Sequence, residues 1–259
     1  GVVRVKNIAD LFDVATVLDS KNLPKSQRLA IITNAGGPGV MATDALIELG
    51  GELANLSDTS LTELNESLPA YWSKGNPIDV LGDADNERYL KAINICLNDS
   101  GVDGILIIYT PQGATEPQEL AETVVEISKN GWKPILTAWI GGEDVRKARN
   151  NLTQNGIPTY ETPEDAVKTY LYMYKYFRNL KLLYETPAEL STDVSPAKHN
   201  LKALIKRAVA EGRNVLTEEE SKRFLINYGI PATKPYMSRD VEDAVSIADR
   251  IGYPIVRKI

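Results

Sequence analysis

Cysteine, histidine and long apolar runs are all scarce in this chain, and each scarcity closes off a class of answer. One cysteine in 259 residues, Cys96, cannot pair within the chain, so a disulfide scaffold is excluded. Cys96 falls in the helical pattern Tyr89-Leu90-Lys91-Ala92-Ile93-Asn94-Ile95-Cys96-Leu97 and reads as a small core residue in a reducing, cytoplasmic compartment. No apolar stretch approaches the ~20 residues needed to span a bilayer, and the opening residues do not read as a signal peptide. A basic excess is missing as well. With 29 Lys and Arg against 35 Asp and Glu, the net charge is −6, which argues against a nucleic-acid partner. What remains, 43% hydrophobic and 25% charged residues, is ordinary globular composition. Residue 1 is Gly, and the last residues, Pro254-Ile255-Val256-Arg257-Lys258-Ile259, follow a strand pattern. The expectation is an internal piece of a longer protein.

From about residue 28, strands alternate with helices, the signature of a parallel sheet covered on both faces. The expected strands are Leu29–Thr33, Glu52–Leu56, Gly104–Tyr109, Pro134–Trp139 and Thr159–Tyr160. The expected helices are Gly39–Leu49, Asn86–Asn98, Gln118–Lys129, Glu143–Asn155 and a long one after Pro163. This is a flavodoxin-like, doubly wound α/β domain, in which ligands bind at the carboxyl ends of the strands. Before it, a short strand at Val2–Val5 and a helix at Ile8–Leu18 read as the end of a preceding domain. After it, the Pro-, Ser-, Thr- and acid-rich stretch from Glu185 to Val194 reads as a linker. A different unit then begins, with helices over Lys198–Ala210, Leu216–Tyr228 and Val241–Ile251 and a strand over Ile255–Ile259.

The most informative run is Thr33-Asn34-Ala35-Gly36-Gly37-Pro38-Gly39-Val40, between an apolar strand and an apolar-periodic helix. A strand, a Gly-rich turn and a helix start aim free backbone N–H groups and the positive end of a helix dipole at one spot. That geometry receives an anion, most often a phosphate. It also suits a tight βα turn with no ligand. Neither GxGxxG nor GxxxxGK[ST] is present, so a dinucleotide or P-loop reading is unsupported. The single histidine, His199, sits in a helix after the linker, where a solvated helix face is the ordinary role.

Further motifs follow in order: Gly51-Glu52-Leu53-Ala54-Asn55-Leu56, Asn76-Pro77-Ile78-Asp79-Val80-Leu81-Gly82-Asp83-Ala84, Tyr109-Thr110-Pro111-Gln112 and Trp139-Ile140-Gly141-Gly142. Together with the glycine run they resemble the ligase domain of the NDP-forming acyl-CoA synthetases, the superfamily of succinyl-CoA synthetase and ADP-forming acetate–CoA ligase. The tail from Leu216-Thr217-Glu218-Glu219-Glu220 through Tyr228-Gly229-Ile230-Pro231 to Ile259 resembles the opening of that family's ATP-grasp domain.

The resemblance implies four segments: 1–26, the end of a preceding flavodoxin-like CoA-ligase domain; 27–184, a flavodoxin-like ligase domain; 185–215, a linker and hinge helix; and 216–259, the start of an ATP-grasp small lobe. It implies an ADP-forming acid–CoA ligase that interconverts acid, CoA and ATP with acyl-CoA, ADP and phosphate through a phosphohistidine upstream of this chain. The chain alone would then be inactive. Asn34, Ala35, Gly36, Gly37 and Gly39 would receive the phosphohistidine, with Thr110, Gln112 and Gly113 lining the same crevice. Lys258 would contact nucleotide phosphates, though Arg257 stands where the family usually has an apolar residue. No metal ligand is expected within the chain. ATP or ADP, Mg²⁺ and CoA are the implied cofactors, the last two held mainly by parts outside it. Implied partners are a small carboxylic acid, CoA, adenine nucleotide and an oligomer, homo or hetero, formed through other domains, with no membrane. For Asp79 and Asp83, turn and capping roles are favoured over acid or metal roles. An alternative is the ligase-like regulatory portion of a protein lysine acyltransferase without synthetase activity. A plain flavodoxin-like interaction module is a third reading, which the ATP-grasp opening argues against.

Overall fold

The computed structural model describes residues 2–18, 22–112, 114–185 and 198–257. The chain divides into two compact units, Gly1–Glu185 and Thr186–Ile259.

The first unit is built on a parallel sheet. Its strands are β1 (Arg28–Thr33), β2 (Glu52–Leu53), β3 (Ile78–Asp79), β4 (Gly104–Tyr109), β5 (Ile135–Trp139) and β6 (Thr159–Tyr160), in the order β2-β1-β4-β5-β6, with β3 also pairing β1. The helices are α1 (Ile8–Val17), α2 (Gly36–Glu48), α3 (Asp58–Ser67), α4 (Asn86–Asn98), α5 (Pro117–Asn130), α6 (Arg146–Gln154) and α7 (Pro163–Tyr184). The central strands are predominantly apolar and almost wholly buried because both faces are covered, and alternate residues feed two cores. Ala30, Ile32, Ile105, Ile107, Tyr109, Ile135 and Trp139 join one core with Tyr89, Ile93, Leu120 and Leu152. Leu29, Ile31, Leu106, Ile108, Leu136 and Ala138 join the other with Leu46, Val167 and Tyr170. Fully burying each large side chain contributes roughly 1.5–3 kcal/mol. This is the flavodoxin-like, doubly wound arrangement the strand–helix alternation predicts, with its switch point between β1 and β4.

Several element boundaries differ from expectation. β2 pairs with β1 only at Glu52 and Leu53, not as far as Leu56. Beyond that point the side chain of Asn76 takes over as a substitute strand. Its Nδ2 donates to the Leu29 and Ala54 carbonyls at 2.9 and 3.0 Å, and its Oδ1 accepts the Ile31 N–H at 3.0 Å. β3 then pairs Ile78 and Asp79 with Ile32 and Thr33. α3 and β3 have no counterpart in the expected elements. α2 starts at Gly36 rather than Gly39, so the glycines form its first turn. The helix expected at Glu143–Asn155 is a 3-10 turn, Gly142–Val145, followed by α6. Residues 2–5 form no strand; the Val2 carbonyl accepts from Asn179 Nδ2 of α7 at 2.6 Å.

α1 is fastened to α7 by a buried charge. The Asp10 carboxylate, 1% exposed, meets Lys168 Nζ at 2.8 Å and accepts from Tyr172 Oη at 3.0 Å. Burial opposes its ionisation, but these partners outweigh that and hold Asp10 below the usual carboxylate range.

The second unit contains α8 (Lys198–Ala210), α9 (Glu218–Asn227) and α10 (Val241–Ile251). α9 opens with a capping box, the Thr217 side chain and Glu220 satisfying each other's backbone N–H groups. Arg213 clasps both Glu220 oxygens at 3.0 Å, and this pairing holds the Glu220 carboxyl down at about 2. The expected strand at Ile255–Ile259 is not formed over 255–257, because no strand is present among the described residues of this unit to pair with it.

Candidate functional site

Where β1 ends and α2 begins, the peptide groups are oriented one by one. Thr33 Oγ1 donates to the Ala35 carbonyl at 2.8 Å and accepts the Ala35 N–H at 3.0 Å. The Ala35 carbonyl also accepts the Gly39 N–H at 3.3 Å, closing the first turn of α2. A peptide bond is planar and trans, so fixing the Ala35 carbonyl aims the Gly36 N–H the opposite way, out of the amino end of α2. Ala35, the residue before the helix, makes no side-chain cap, which leaves the N–H groups of Gly36 and Gly37 as open donors among the described residues. Pro38 follows and has no N–H to leave unsatisfied.

The three glycines differ in purpose. A Cβ at Gly37 would meet nothing within 4 Å. One at Gly36 would stand 3.4 Å from Asp79 Oδ2, and one at Gly39 only 2.9 Å from Thr33 Cγ2. None of the three has positive φ, so the requirement at Gly39 is space, not backbone freedom. The open side of the helix start is at Gly36 and Gly37.

Asn34 is buried and points across the switch point. Its Nδ2 donates to the Thr110 carbonyl at 2.8 Å, and its Oδ1 accepts the Thr110 N–H at 3.0 Å and the Thr110 hydroxyl at 3.2 Å. Asn34 therefore neither caps α2 nor points at it; it ties the exit of β1 to the exit of β4. Gln112 lies over this tie, its Nε2 donating to the Asn34 carbonyl at 3.3 Å and to Thr110 Oγ1 at 3.0 Å. The structure thus gathers Asn34, Ala35, Gly36, Gly37, Gly39, Thr110 and Gln112 at one place on the carboxyl edge of the sheet. Gly113 and Lys258 lie outside the described residues, as do residues 186–197 of the expected linker.

Asp79 and Asp83 have structural roles. Asp79 Oδ1 accepts the Leu81 N–H at 2.9 Å in an Asx turn. Asp83 is paired with Arg88 Nη1 at 2.7 Å, which lowers its carboxyl below the ordinary range. Arg88 Nη1 also donates to the Val80 carbonyl at 2.9 Å, bracing the loop after β3. His199 belongs to α8 in the second unit. Thr33, which orients the helix start, is a site residue that periodicity does not reveal, since it reads as the last position of a strand. Its hydroxyl three residues before a glycine run is the signal that was available.

Two open N–H donors stand at a helix start on the carboxyl edge beside the switch point, an arrangement that can receive a small anion. Gly36 and Gly37 are both exposed, so the helix dipole contributes about 0.3–1 kcal/mol to such binding. Against known proteins, residues 29–184 match the Ligase-CoA domain and residues 207–259 match the ATP-grasp domain. The chain belongs to the Ligase-CoA domain family.

A 4-hydroxybutyrate–CoA ligase (ADP-forming) of Nitrosopumilus maritimus is 31% identical over all of this chain and 36% of its own length. In Pyrococcus furiosus the similarity divides between two polypeptides of acetate–CoA ligase (ADP-forming) II. The alpha subunit is 38% identical over 64% of this chain and 37% of its own length, and the beta subunit 32% over 22% and 24%. A solved structure of the dinucleotide-forming acetyl-coenzyme A synthetase 1 of Ca. Korarchaeum cryptofilum, in complex with phosphate and ADP, superposes with a TM-score of 0.64 and 30% identity. It covers 70% of this chain and 40% of that one. The chain spans 36–37% of the length of the full-length curated relatives it matches first. Among the described residues no helix is long and apolar enough to cross a membrane.

Proposed function

We propose that this chain is the ligase-domain and ATP-grasp-entry portion of an ADP-forming acyl-CoA synthetase. The reaction is acid + CoA + ATP = acyl-CoA + ADP + phosphate, carried by a phosphohistidine outside residues 1–259. One observation carries the reading: a Ligase-CoA domain match is followed in the same chain by an ATP-grasp match. The open Gly36 and Gly37 N–H groups support a phosphoryl-receiving role for the start of α2, since backbone donors bind the group without a fixed counter-cation that would trap it. Asn34 and Thr110 then hold the site's frame, with Gln112 at its edge, and Gly113 is kept as a proposed lining residue. Lys258 contacts nucleotide phosphates, where a point-charge donor suits a mobile polyphosphate. Mg²⁺ and CoA are assigned mainly to parts of the protein beyond this chain.

The proposed segments are 1–26, 27–184, 185–215 and 216–259. The exposure of α1 supports the first: Asp10, Val14 and Val17 are buried, while Ile8, Leu11 and Phe12 are 74%, 53% and 67% exposed. An apolar face turned away from this unit suits a helix that completes another domain's core. The divided similarity to alpha and beta subunits supports one chain that joins what are separate subunits in some relatives, within an oligomer, and a cytoplasmic location is proposed with it.

The test uses the complete polypeptide that carries this chain, supplied with ATP, CoA and a series of small carboxylic acids. ADP release that requires both CoA and acid is expected, with no turnover from the 259-residue chain alone. Acyl transfer from acyl-CoA to protein lysine, with no acid-dependent ADP release, would overturn the reading in favour of a lysine acyltransferase.

A further inference from the structure

Gly82 lies in the loop after β3, and nothing in its backbone calls for glycine, since its φ is not in the left-handed region. Space does. A Cβ there would fall 2.0 Å from Gln112 Oε1 and 3.0 Å from Gln112 Cδ. Two further contacts keep the loops in register. Thr115 Oγ1 donates to the Ala84 carbonyl, and Tyr109 Oη donates to the Thr115 carbonyl at 2.6 Å. On the other side, a Cβ at Gly141 would stand 2.7 Å from Pro111 Cγ. The segment Thr110-Pro111-Gln112 is therefore seated between two loops that each present a glycine to it.

Gln112 spends both Nε2 hydrogens on the protein, one on the Asn34 carbonyl and one on Thr110 Oγ1. The peptide it holds by the Asn34 carbonyl is held at its N–H by Thr33 Oγ1. This is the peptide immediately before the one that aims the Gly36 N–H. We infer that Gly82 and Gln112 form a latch that sets the orientation of the α2 amino terminus, with Gln112 as a positioning residue for the anion received there. The inference rests on the reading that Gly36 and Gly37 bind a phosphoryl group, and it adds two residues that act on that site through others.

The latch can be released from either side. Gln112→Ala removes the amide. Gly82→Ala leaves Gln112 in the sequence but pushes its flexible end out of place, at little cost to folding. The probe is inorganic phosphate titrated into the 259-residue chain, followed by ¹⁵N resonances. In the wild type the Gly36 and Gly37 amides are expected to shift on titration. Both variants should weaken phosphate binding by the same three- to tenfold, and the double variant should be no weaker than either single one. Both should also shift the Thr110 amide and the Asn34 side-chain amide before phosphate is added. Wild-type affinity in Gly82→Ala, or additive losses in the double variant, overturns the latch while leaving the phosphoryl-site reading intact. Unmoved Gly36 and Gly37 amides in the wild type overturn that reading and the positioning role with it.

Discussion

The side chain of Asn34 and the backbone of Thr110 hold each other from both ends, Nδ2 to carbonyl at 2.8 Å and Oδ1 to N–H at 3.0 Å. A carboxamide carries a donor and an acceptor in one plane, so it pairs with a peptide as another peptide would. Asn34 thereby extends the β1–β4 ladder past the last paired residues, Thr33 and Ile108, at the point where the strands separate. The exits of β1 and β4 are consequently tied to each other at the switch point. Asn34→Ala should cost about 2–3 kcal/mol in urea unfolding, because the Thr110 N–H and carbonyl lose their partner in a largely buried setting. Asn34→Asp should also destabilise, since it keeps the acceptor but sets a carboxylate against the Thr110 carbonyl. An unchanged unfolding midpoint in both variants would show that the tie contributes nothing.

Gly37→Val and Gly39→Ala should separate function from packing. The space around Gly37 is open and its φ is not left-handed, so Gly37→Val should fold with the wild-type circular dichroism spectrum. In the complete polypeptide it should slow phosphoenzyme formation from labelled ATP by about 10²–10³-fold, by blocking approach to the N–H donors. Gly39→Ala drives a methyl against Thr33 Cγ2, 2.9 Å away. Overpacking costs about 1–3 kcal/mol against a helix-propensity gain of about 1, so a net loss of about 1 kcal/mol is expected. Phosphorylation of Gly37→Val at the wild-type rate would reduce the glycine run to a structural turn.

The Asp10–Lys168 pair should make the first unit acid-sensitive. Asp10 has a lowered pKa in the folded chain, so its contribution is present above its unfolded value of about 4 and lost as pH falls through the folded value. Lys168 is raised by Asp10 and Asp165 despite the opposing effect of burial, so its contribution is present below its unfolded value of about 10.4 and lost only as pH climbs through the folded one. Asp13 acts in the opposite sense. Burial and the neighbouring Asp165 raise it, and acid relieves it. Comparing urea midpoints of wild type and Asp10→Asn from pH 3 to 7 isolates the Asp10 share, and the variant should have the flatter acid limb. Lys168→Ala should cost about 3 kcal/mol, because it strands a buried carboxylate. Parallel acid limbs for wild type and Asp10→Asn would contradict this account.

Cys96 should be inert in the native state. It is fully buried in α4, and burial pushes its thiol up to about 12. A thiol-reactive dye at pH 8 should label it only in denaturant, since the thiolate is the reactive form. Labelling of the native chain at the rate of a free thiol would contradict the packing of this core.

Much of this protein is legible in its residues alone. Predominantly apolar strands at β1, β4 and β5, punctuated by Gly and Pro, announce a doubly wound sheet because two covered faces leave no polar side to a strand. The glycine run announces a close backbone approach, and the order of motifs announces the family. The tertiary structure decided what periodicity cannot carry. β2 stops at Leu53 because the side chain of Asn76, far along the chain, occupies the next β1 positions. Residues 2–5 have strand-forming residues but pair with no strand, and a strand exists only when another pairs with it. Asn34 reads in sequence as one of the residues that would receive the phosphohistidine, and only the approach of Thr110 from 76 residues away commits its amide to the sheet. Gly82 has no conformational reason to be glycine until Gln112 is folded against it. Local sequence sets the backbone preferences and the apolar pattern, while a hydrogen-bond partner brought in from a distant segment depends on the whole chain having folded.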